Sequence, residues 1–459
     1  MTYRERIDAA LADGYRFAGL YAAAGGDVVR VALAARDGGV RLESVAVQDG
    51  HVPSIVGLTA AAGWDEREAA DLFGIRFDGH EPLRPLVDHD LALAHWTVAV
   101  RGDDAYQVAV GPIHAGVIES GHFRFHVVGD RILHLDARLF YKHRGLERAA
   151  EGRSLAEGLA YAQRACAACA VSNSVAYAHA CEAALGVRPS SELARARTIL
   201  LELERTWNHL NDIAAVCAGA GLAPGNTFFA ALTERARRLN ERLTGHRFLF
   251  DSVQVGGSRL TVDAAATAAA RDELASIASD SKSGWRELLF NGSFQDRLPD
   301  IGVVTADDAR ALGAVGPTAR ASGLAEDVRT HDNRLAYDGL APAAPRRVAG
   351  DVQSRLEQRA VELLQAFELL DELLDRPLEP AAASRGDSGQ TIGLGLVESP
   401  RGATLCAVEH TNNNVGRLHL RTGSYANWPV VAHAAADNLL PDFPLINKSF
   451  ELCYACADR

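Results

Sequence analysis

The chain has 459 residues, 48% of them hydrophobic and 23% charged, with a net charge of −12 at neutral pH. That composition packs into cores and excludes wholesale disorder, and the length allows two or three domains. The acidic balance, with a pI near 5.7 and no dense Lys/Arg block, argues against a nucleic-acid partner.

Residues Met1 to Asp8 are charged and helical in character, with no secretory-type apolar stretch behind them, so the chain is expected to stay in the cytoplasm. β-like runs follow over Tyr15 to Ala23, Asp27 to Ala35 and Val40 to Val47, mixed with helix-like segments, and Pro82 and Pro85 punctuate the exit. Residues 1–95 therefore read as a small α/β domain. From Trp96 to Leu139 the pattern is again strand-like, with turns at Gly111-Pro112 and Gly129-Asp130, giving the second domain a β-rich edge.

Helical periodicity then takes over between Lys142 and Asp251, with Leu193, Ala196, Ile199, Leu200 and Leu203 on one face and Trp207 and Leu210 continuing it. Another helix is predicted over Asp351 to Asp375, with Leu356, Ala360, Leu363, Leu364, Phe367 and Leu370 as its buried stripe. Beyond the Gly/Ser-rich segment Ser384 to Gly389, short strands are expected around Leu405 to Glu409 and Arg417 to Arg421, and a helix near Trp428 to Asn438. The fold class is thus α+β, a small α/β domain followed by a mainly helical bundle with β-rich edges over 96–459. No apolar run reaches the roughly 18 to 20 residues needed to cross a bilayer, so any membrane link runs through partners.

Seven cysteines, an odd number in a chain of cytoplasmic character, make a disulfide framework improbable. Four of them form two Cys-x-x-Cys pairs, Cys166/Cys169 and Cys453/Cys456, and four thiolates complete a metal shell. The pairs lie much further apart than the roughly 15 to 20 residues between pairs in a zinc ribbon, so the fold must bring them together. Either pair alone is explicable as small buried residues in an Ala-rich chain; the two together argue against chance. Thiolates suit zinc, iron or nickel, and spacing does not choose among these.

Arg164-Ala165-Cys166-Ala167-Ala168-Cys169 resembles the first nickel-binding motif, Arg-x-Cys-Gly-x-Cys, of [NiFe] hydrogenase large subunits. The tail, Asp442 to Ile446 followed by Cys453-Tyr454-Ala455-Cys456-Ala457-Asp458-Arg459, is similar to the C-terminal motif of the complex I-related, formate hydrogenlyase-type group 4 enzymes. In that subgroup the precursor is commonly cut after such an arginine, so Arg459 resembles a mature end, whether by processing or because no extension is encoded. The resemblance implies Cys166 and Cys453 as terminal nickel ligands. Cys169 and Cys456 would bridge nickel to an iron that carries carbon monoxide and cyanide.

Other segments carry the resemblance along nearly the whole chain. Gly111 to Gly116 and Glu119-Ser120-Gly121-His122-Phe123-Arg124-Phe125 are similar to the hairpin shared with the complex I 49-kDa subunit, which implies a proton-gating role for Glu119. A carboxylate suits that task because it can exchange protons with a thiolate; the bland reading is a solvated turn residue. His143-Arg144-Gly145-Leu146-Glu147 resembles Arg-Gly-x-Glu, implying that Glu147 lies by a second site for magnesium or iron. Glu398-Ser399-Pro400-Arg401-Gly402 resembles Glu-x-Pro-Arg-Gly, placing the Arg401 guanidinium over the open metal position, where a fixed cation stabilises developing charge. Arg421 to Asn427 also matches the family's run before the last helix. Trp64 to Glu68, Asp71 to Ile75 and Phe77 to His80 resemble the complex I 30-kDa subunit, implying a fused docking domain.

The resemblance implies a catalytic subunit that interconverts protons and H2. Its electrons would pass to a small [4Fe-4S] subunit and a ferredoxin-like iron–sulfur subunit. Complex I-like membrane subunits, and in some assemblies a formate dehydrogenase, would hold it on the cytoplasmic face of the membrane. Around the cysteines the pattern departs from the family: Ala167-Ala168 replaces Gly-x, Asn173 stands where a His is usual, and Glu451-Leu452 replaces Asp-Pro. Groups that orient metal ligands tune a site about 10- to 100-fold. The competing class is therefore a non-catalytic or zinc-holding subunit of a complex I-like NADH/quinone or ferredoxin oxidoreductase, with a zinc-only enzyme third.

Overall fold

The computed structural model describes every residue except 91–95, 103, 115–118, 342, 344–346 and 386–388, and of Arg385 the backbone alone. Helix α1 (Tyr3–Ala12) starts at Thr2, whose hydroxyl accepts from the Glu5 N–H while the Glu5 carboxylate accepts from the Thr2 N–H. Strands β1 (Arg16–Ala22), β2 (Val28–Ala34) and β3 (Val40–Ala46) form an antiparallel sheet in that order, each within one residue of its expected ends. The short parallel pair β4 (His51–Pro53) and β5 (Arg76–Asp78) brackets α2 (Gly63–Phe73), which stops at Gly74 with φ 68°. Ile7, Leu20, Val29, Val31, Leu33, Val52 and Phe77 make this unit's core.

Strands β6 (Tyr106–Val110), β7 (His122–Val128) and β8 (Arg131–Arg138) form the expected β-rich edge as one antiparallel sheet. The helical body follows: α3 (Leu146–Ala150), α4 (Leu155–Gln163), α5 (Ala170–Leu185), α6 (Ser191–Gly219), α7 (Ala223–Thr244), α8 (Ala264–Phe290) and α9 (Val352–Leu373). The apolar stripe of α6 is buried as expected, and so are its polar residues Glu202, Glu204, Arg205, Asn208, His209 and Asp212, because neighbours pack on it from every side. Helix α8 lies outside the expected elements, its buried Ala270, Leu274, Ile277 and Leu288 being spread among polar residues. On α9, Leu356, Leu363 and Leu370 are buried and Leu364 only partly so.

The closing sheet, β9 (Ile392–Ser399), β10 (Gly402–Thr411) and β11 (Asn414–Arg421), is larger than the two short strands expected. Two glycines make β9 a weak strand on propensity, but they are what the packing needs. A Cβ on Gly393 or Gly395 would run into the carbonyl oxygens of Ala180 and Ala176, so the bare strand lies directly on the alanine face of α5. Helix α10 (Gly423–Ala435) begins earlier than expected because Thr422 caps it at the Tyr425 N–H. It is followed by α11 (Phe443–Phe450) and α12 (Tyr454–Asp458).

The first unit is clamped to the closing sheet. Arg421 pairs with buried Asp65 of α2 at 2.8 Å, Arg30 of β2 pairs with Glu409 at 2.6 Å, and Tyr21 stacks on His419 with ring centroids 5.1 Å apart. The fold is α+β. Among the described residues no helix is long and apolar enough to cross a membrane.

Candidate metal centre

The two cysteine pairs converge. Cys166 lies in the turn after α4, Cys169 is the residue before α5, Cys453 precedes α12 and Cys456 lies within it. Their four sulfurs all lie within 4.8 Å of one another, three of the cysteines buried and Cys453 partly exposed.

Each pair is held by backbone contacts. Arg144 donates to the Arg164 and Ala165 carbonyls at 3.0 and 2.8 Å, and Asn208 donates to the Ala168 carbonyl at 2.8 Å. Helix α5 has no side-chain cap of its own, and Glu204 of α6 supplies one by accepting from the Val171 and Ser172 N–H groups at 2.6 and 3.0 Å. Burial pushes the Glu204 carboxyl up to about 7 against those hydrogen bonds. On the other pair, the Cys453 N–H donates to Ser424 Oγ at 3.0 Å and Thr422 Oγ1 donates to the Cys456 carbonyl at 3.1 Å. Between them the Ala455 N–H donates to Glu119 Oε2 at 2.8 Å.

Four thiols this close cannot all ionise against one another. Hydrogen bonds from Cys166, Cys169 and Cys456, with Arg401 adding its charge, hold the Cys453 thiol well below its usual range, while Cys169 and Cys456 are pushed well above theirs. Cations among the sulfurs would remove that conflict and let all four be thiolates.

Arg401 is the fixed cation beside them. Both its terminal nitrogens donate to Asp212, one at 2.9 Å, and Nη2 also donates to Asn208 Oδ1 at 3.2 Å. Burial opposes ionisation of Asp212, but Arg401, His209 and Arg359 outweigh it and hold the carboxyl at about 2. The loop carrying Arg401 depends on Gly402, at φ 118°, where a Cβ would crowd Val315 and Gly316. Among the described residues Arg401 Nε has no partner, and neither side-chain atom of buried Asn173, one turn beyond Cys169, has one. Buried donors left free beside four sulfurs fit a metal that carries small acceptor ligands, so the chemistry of the residues present agrees with a nickel–iron group.

A second cluster gathers Glu68 of α2, Glu147 of α3 and His419 of β11, whose ligand atoms also lie within 4.8 Å of one another. Arg459 reaches into it. Its guanidinium pairs with Glu68 and, at 2.8 Å, with Glu147, while Arg417 pairs with Glu147 at 3.0 Å. Burial alone would raise the Glu147 carboxyl, but Arg459, His419 and Arg417 hold it well below the usual range.

Family models match in two places: the respiratory-chain NADH dehydrogenase 30 Kd subunit over residues 14–97 and the 49 Kd subunit over 225–392. Formate hydrogenlyase subunit 5 of Escherichia coli K12 is 30% identical over 89% of this chain and 77% of that protein. The chain belongs to the formate hydrogenlyase-type family of complex I-related large subunits. Hydrogenase-4 component G of the same organism is 29% identical over 89% of this chain and 76% of its own length. Among solved structures, the membrane-bound sulfane sulfur reductase, an archaeal respiratory membrane complex, matches with a TM-score of 0.72 and 27% identity over 78% of this chain and 99% of that one. This family member is therefore a hydrogenase-like oxidoreductase subunit in which a 30 Kd-type and a 49 Kd-type unit are fused.

The fold brings together every site residue singled out in the sequence: the four cysteines, Glu119 and Arg401 at one cluster, Glu147 at the other. Sequence reasoning missed Asn208, Asp212 and Glu204, which hold Arg401 and α5. Their signal was polar residues at i, i+4 spacing (Glu204, Asn208, Asp212) inside an otherwise apolar helix. Asp65 and Glu68 of α2, in the unit read as a docking domain, are buried and pair with Arg421 and Arg459 of the second unit. Glu451, in place of the family's Asp, adopts φ 49°, a left-handed conformation that Asp tolerates better, and burial pushes its carboxyl up to about 7.

Proposed function

We propose that this chain is the catalytic subunit of a [NiFe] hydrogenase that interconverts protons and H2 and passes electrons to a partner iron–sulfur subunit. The observation that carries the reading is the meeting of Cys166, Cys169, Cys453 and Cys456 within 4.8 Å beside the unpartnered Nε of Arg401. Cys166, Cys169, Cys453 and Cys456 would hold the nickel–iron group. When bound, such a group supplies the two-electron cleavage and formation of H2.

The protein's own residues do the rest. Glu119, hydrogen-bonded between Cys453 and Cys456, accepts protons from the sulfurs and releases them outward. Asp212 and Asn208 aim the Arg401 guanidinium, which stabilises negative charge at the sulfurs and donates to small ligands. Buried α5 and α12 keep water from the inner sulfurs. Residues 1–95 serve as the docking unit and 96–459 as the catalytic unit, carried on the cytoplasmic face of the membrane by complex I-like subunits.

Nickel and iron analysis of the purified complex, together with infrared bands of bound CO and cyanide, tests this. One nickel per chain with those bands is expected; zinc in place of nickel, or no metal at the cysteines, and no bands would overturn it. Zinc is the competing occupant because four sulfurs within 4.8 Å also suit a single tetrahedral ion.

A further inference from the structure

The family resemblance places a divalent metal beside Glu147, and three ligand-type groups do meet there: Glu68, Glu147 and His419. A divalent ion does not fit what surrounds them. The Arg459 guanidinium lies between the two carboxylates, donating to Glu68, to Glu147 and to the Leu420 carbonyl, and its face covers the Tyr425 ring at 4.7 Å. The carboxylate of Glu147 also accepts from the Leu420 N–H at 2.9 Å and pairs with Arg417. Two arginines thus balance two carboxylates, and an added divalent ion would leave a buried surplus of two positive charges without counter-ions. Both oxygens of Glu147 and one of Glu68 already accept from backbone or guanidinium N–H groups.

We infer that Arg459 is itself the cation of this second site, its guanidinium neutralising Glu68 and Glu147 in place of a divalent metal. The three parts it joins come from distant stretches of the chain: α2 of the first unit, α3 of the second, and the segment that carries Cys453 and Cys456. Asp458 and the last carbonyl strengthen the same junction. Asp458 accepts from the Phe140 and Lys142 N–H groups at 2.7 and 2.9 Å, and the Arg459 carbonyl accepts from the Arg144 N–H at 2.9 Å. A planar fork with several donors can satisfy two carboxylates and a carbonyl at once, which a spherical ion achieves only with further oxygen ligands. The guanidinium therefore latches the first unit onto the cysteine-bearing tail. This inference is independent of what the cysteines hold.

The purified wild-type complex is assayed for magnesium, manganese and iron before and after EDTA dialysis, with nickel and iron at the cysteines quantified in the same sample. No magnesium or manganese, no loss of iron to EDTA, and a Tm unmoved by EDTA or added Mg2+ are expected. A bound divalent ion beyond the cysteine metals, with a Tm that falls on chelation and recovers with Mg2+, would overturn the inference whatever the cysteines contain. The Arg459→Ala complex should melt lower than wild type, and added Mn2+ should bind in the cage left by Glu68, Glu147 and His419 and raise its Tm. Arg459→Lys should keep part of the stability without metal. An Arg459→Ala complex as stable as wild type would also refute the latch, and if that variant does not fold, the wild-type measurements still decide.

Discussion

Asp212 grips Arg401 with both carboxylate oxygens, and both side chains are buried. Such a bidentate pair fixes the plane of the guanidinium as well as its position. Asp212→Asn removes the charge while nearly keeping the shape, leaving Arg401 free to rotate off the sulfurs. H2-dependent dye reduction should fall about 10- to 100-fold at unchanged nickel content. Equal loss of nickel and of activity would instead make Asp212 a folding residue.

Cys169→Ser and Cys456→Ser each remove one of the sulfurs proposed to hold the metals. Both variants should lose iron and nickel by elemental analysis, and H2-dependent dye reduction with them, because a hydroxyl does not ionise near neutral pH as a thiol can. Activity retained in either would refute the ligand assignment.

Glu119→Gln keeps an oxygen that can accept from the Ala455 N–H and so keeps the tail loop in place. What it loses is the exchangeable proton. Metal content should stay at the wild-type level while H2/D2O exchange slows by roughly 10²- to 10⁴-fold, the usual worth of a positioned acid–base group. An exchange rate equal to wild type would remove Glu119 from the proton path.

The latch around Glu147 gives a definite pH dependence. Its folded carboxyl titrates well below the ordinary value of 4.5, so it contributes stability fully above about pH 4.5 that is lost as pH falls through the folded value. Tm measured downward from pH 6 should drop more steeply below pH 4.5 in wild type than in Glu147→Gln. Parallel curves would show that Glu147 carries no such linkage.

Gly395→Val tests the contact that seats Cys169. The new side chain would collide with the Ala176 carbonyl and push β9 off α5. Overpacking of this kind costs about 1–3 kcal/mol or more, so chemical denaturation should move to lower midpoints and nickel occupancy should fall. An unchanged midpoint would mean the helix and strand can separate freely.

Much of the architecture was legible before any coordinates. The three strands of the first unit showed as β-like runs, and the stripes of α6 and α9 by helical spacing, because both are local properties of the chain. Strand β9 was not, since Gly393 and Gly395 lower its strand propensity and their use shows only where the alanine face of α5 lies against them. Helix α8 escaped for a related reason: its buried stripe keeps helical spacing, but Thr267, Ser281 and Gly284 stand at three of its seven positions.

The site divides in the same way. The Cys-x-x-Cys pairs, Glu119, Glu147 and Arg401 are readable because short motifs fix residue type and spacing. Which groups would hold them is not, because Asp212, Glu204, Glu68 and Arg459 act across long sequence separations. By itself the sequence determined the family, the α+β class and the four sulfurs available for metal. Only the tertiary structure decided that those sulfurs meet beside a clamped arginine, and that the second carboxylate cluster is filled by the chain's own guanidinium. Charge pairing depends on distance in space, and the sequence does not carry that distance.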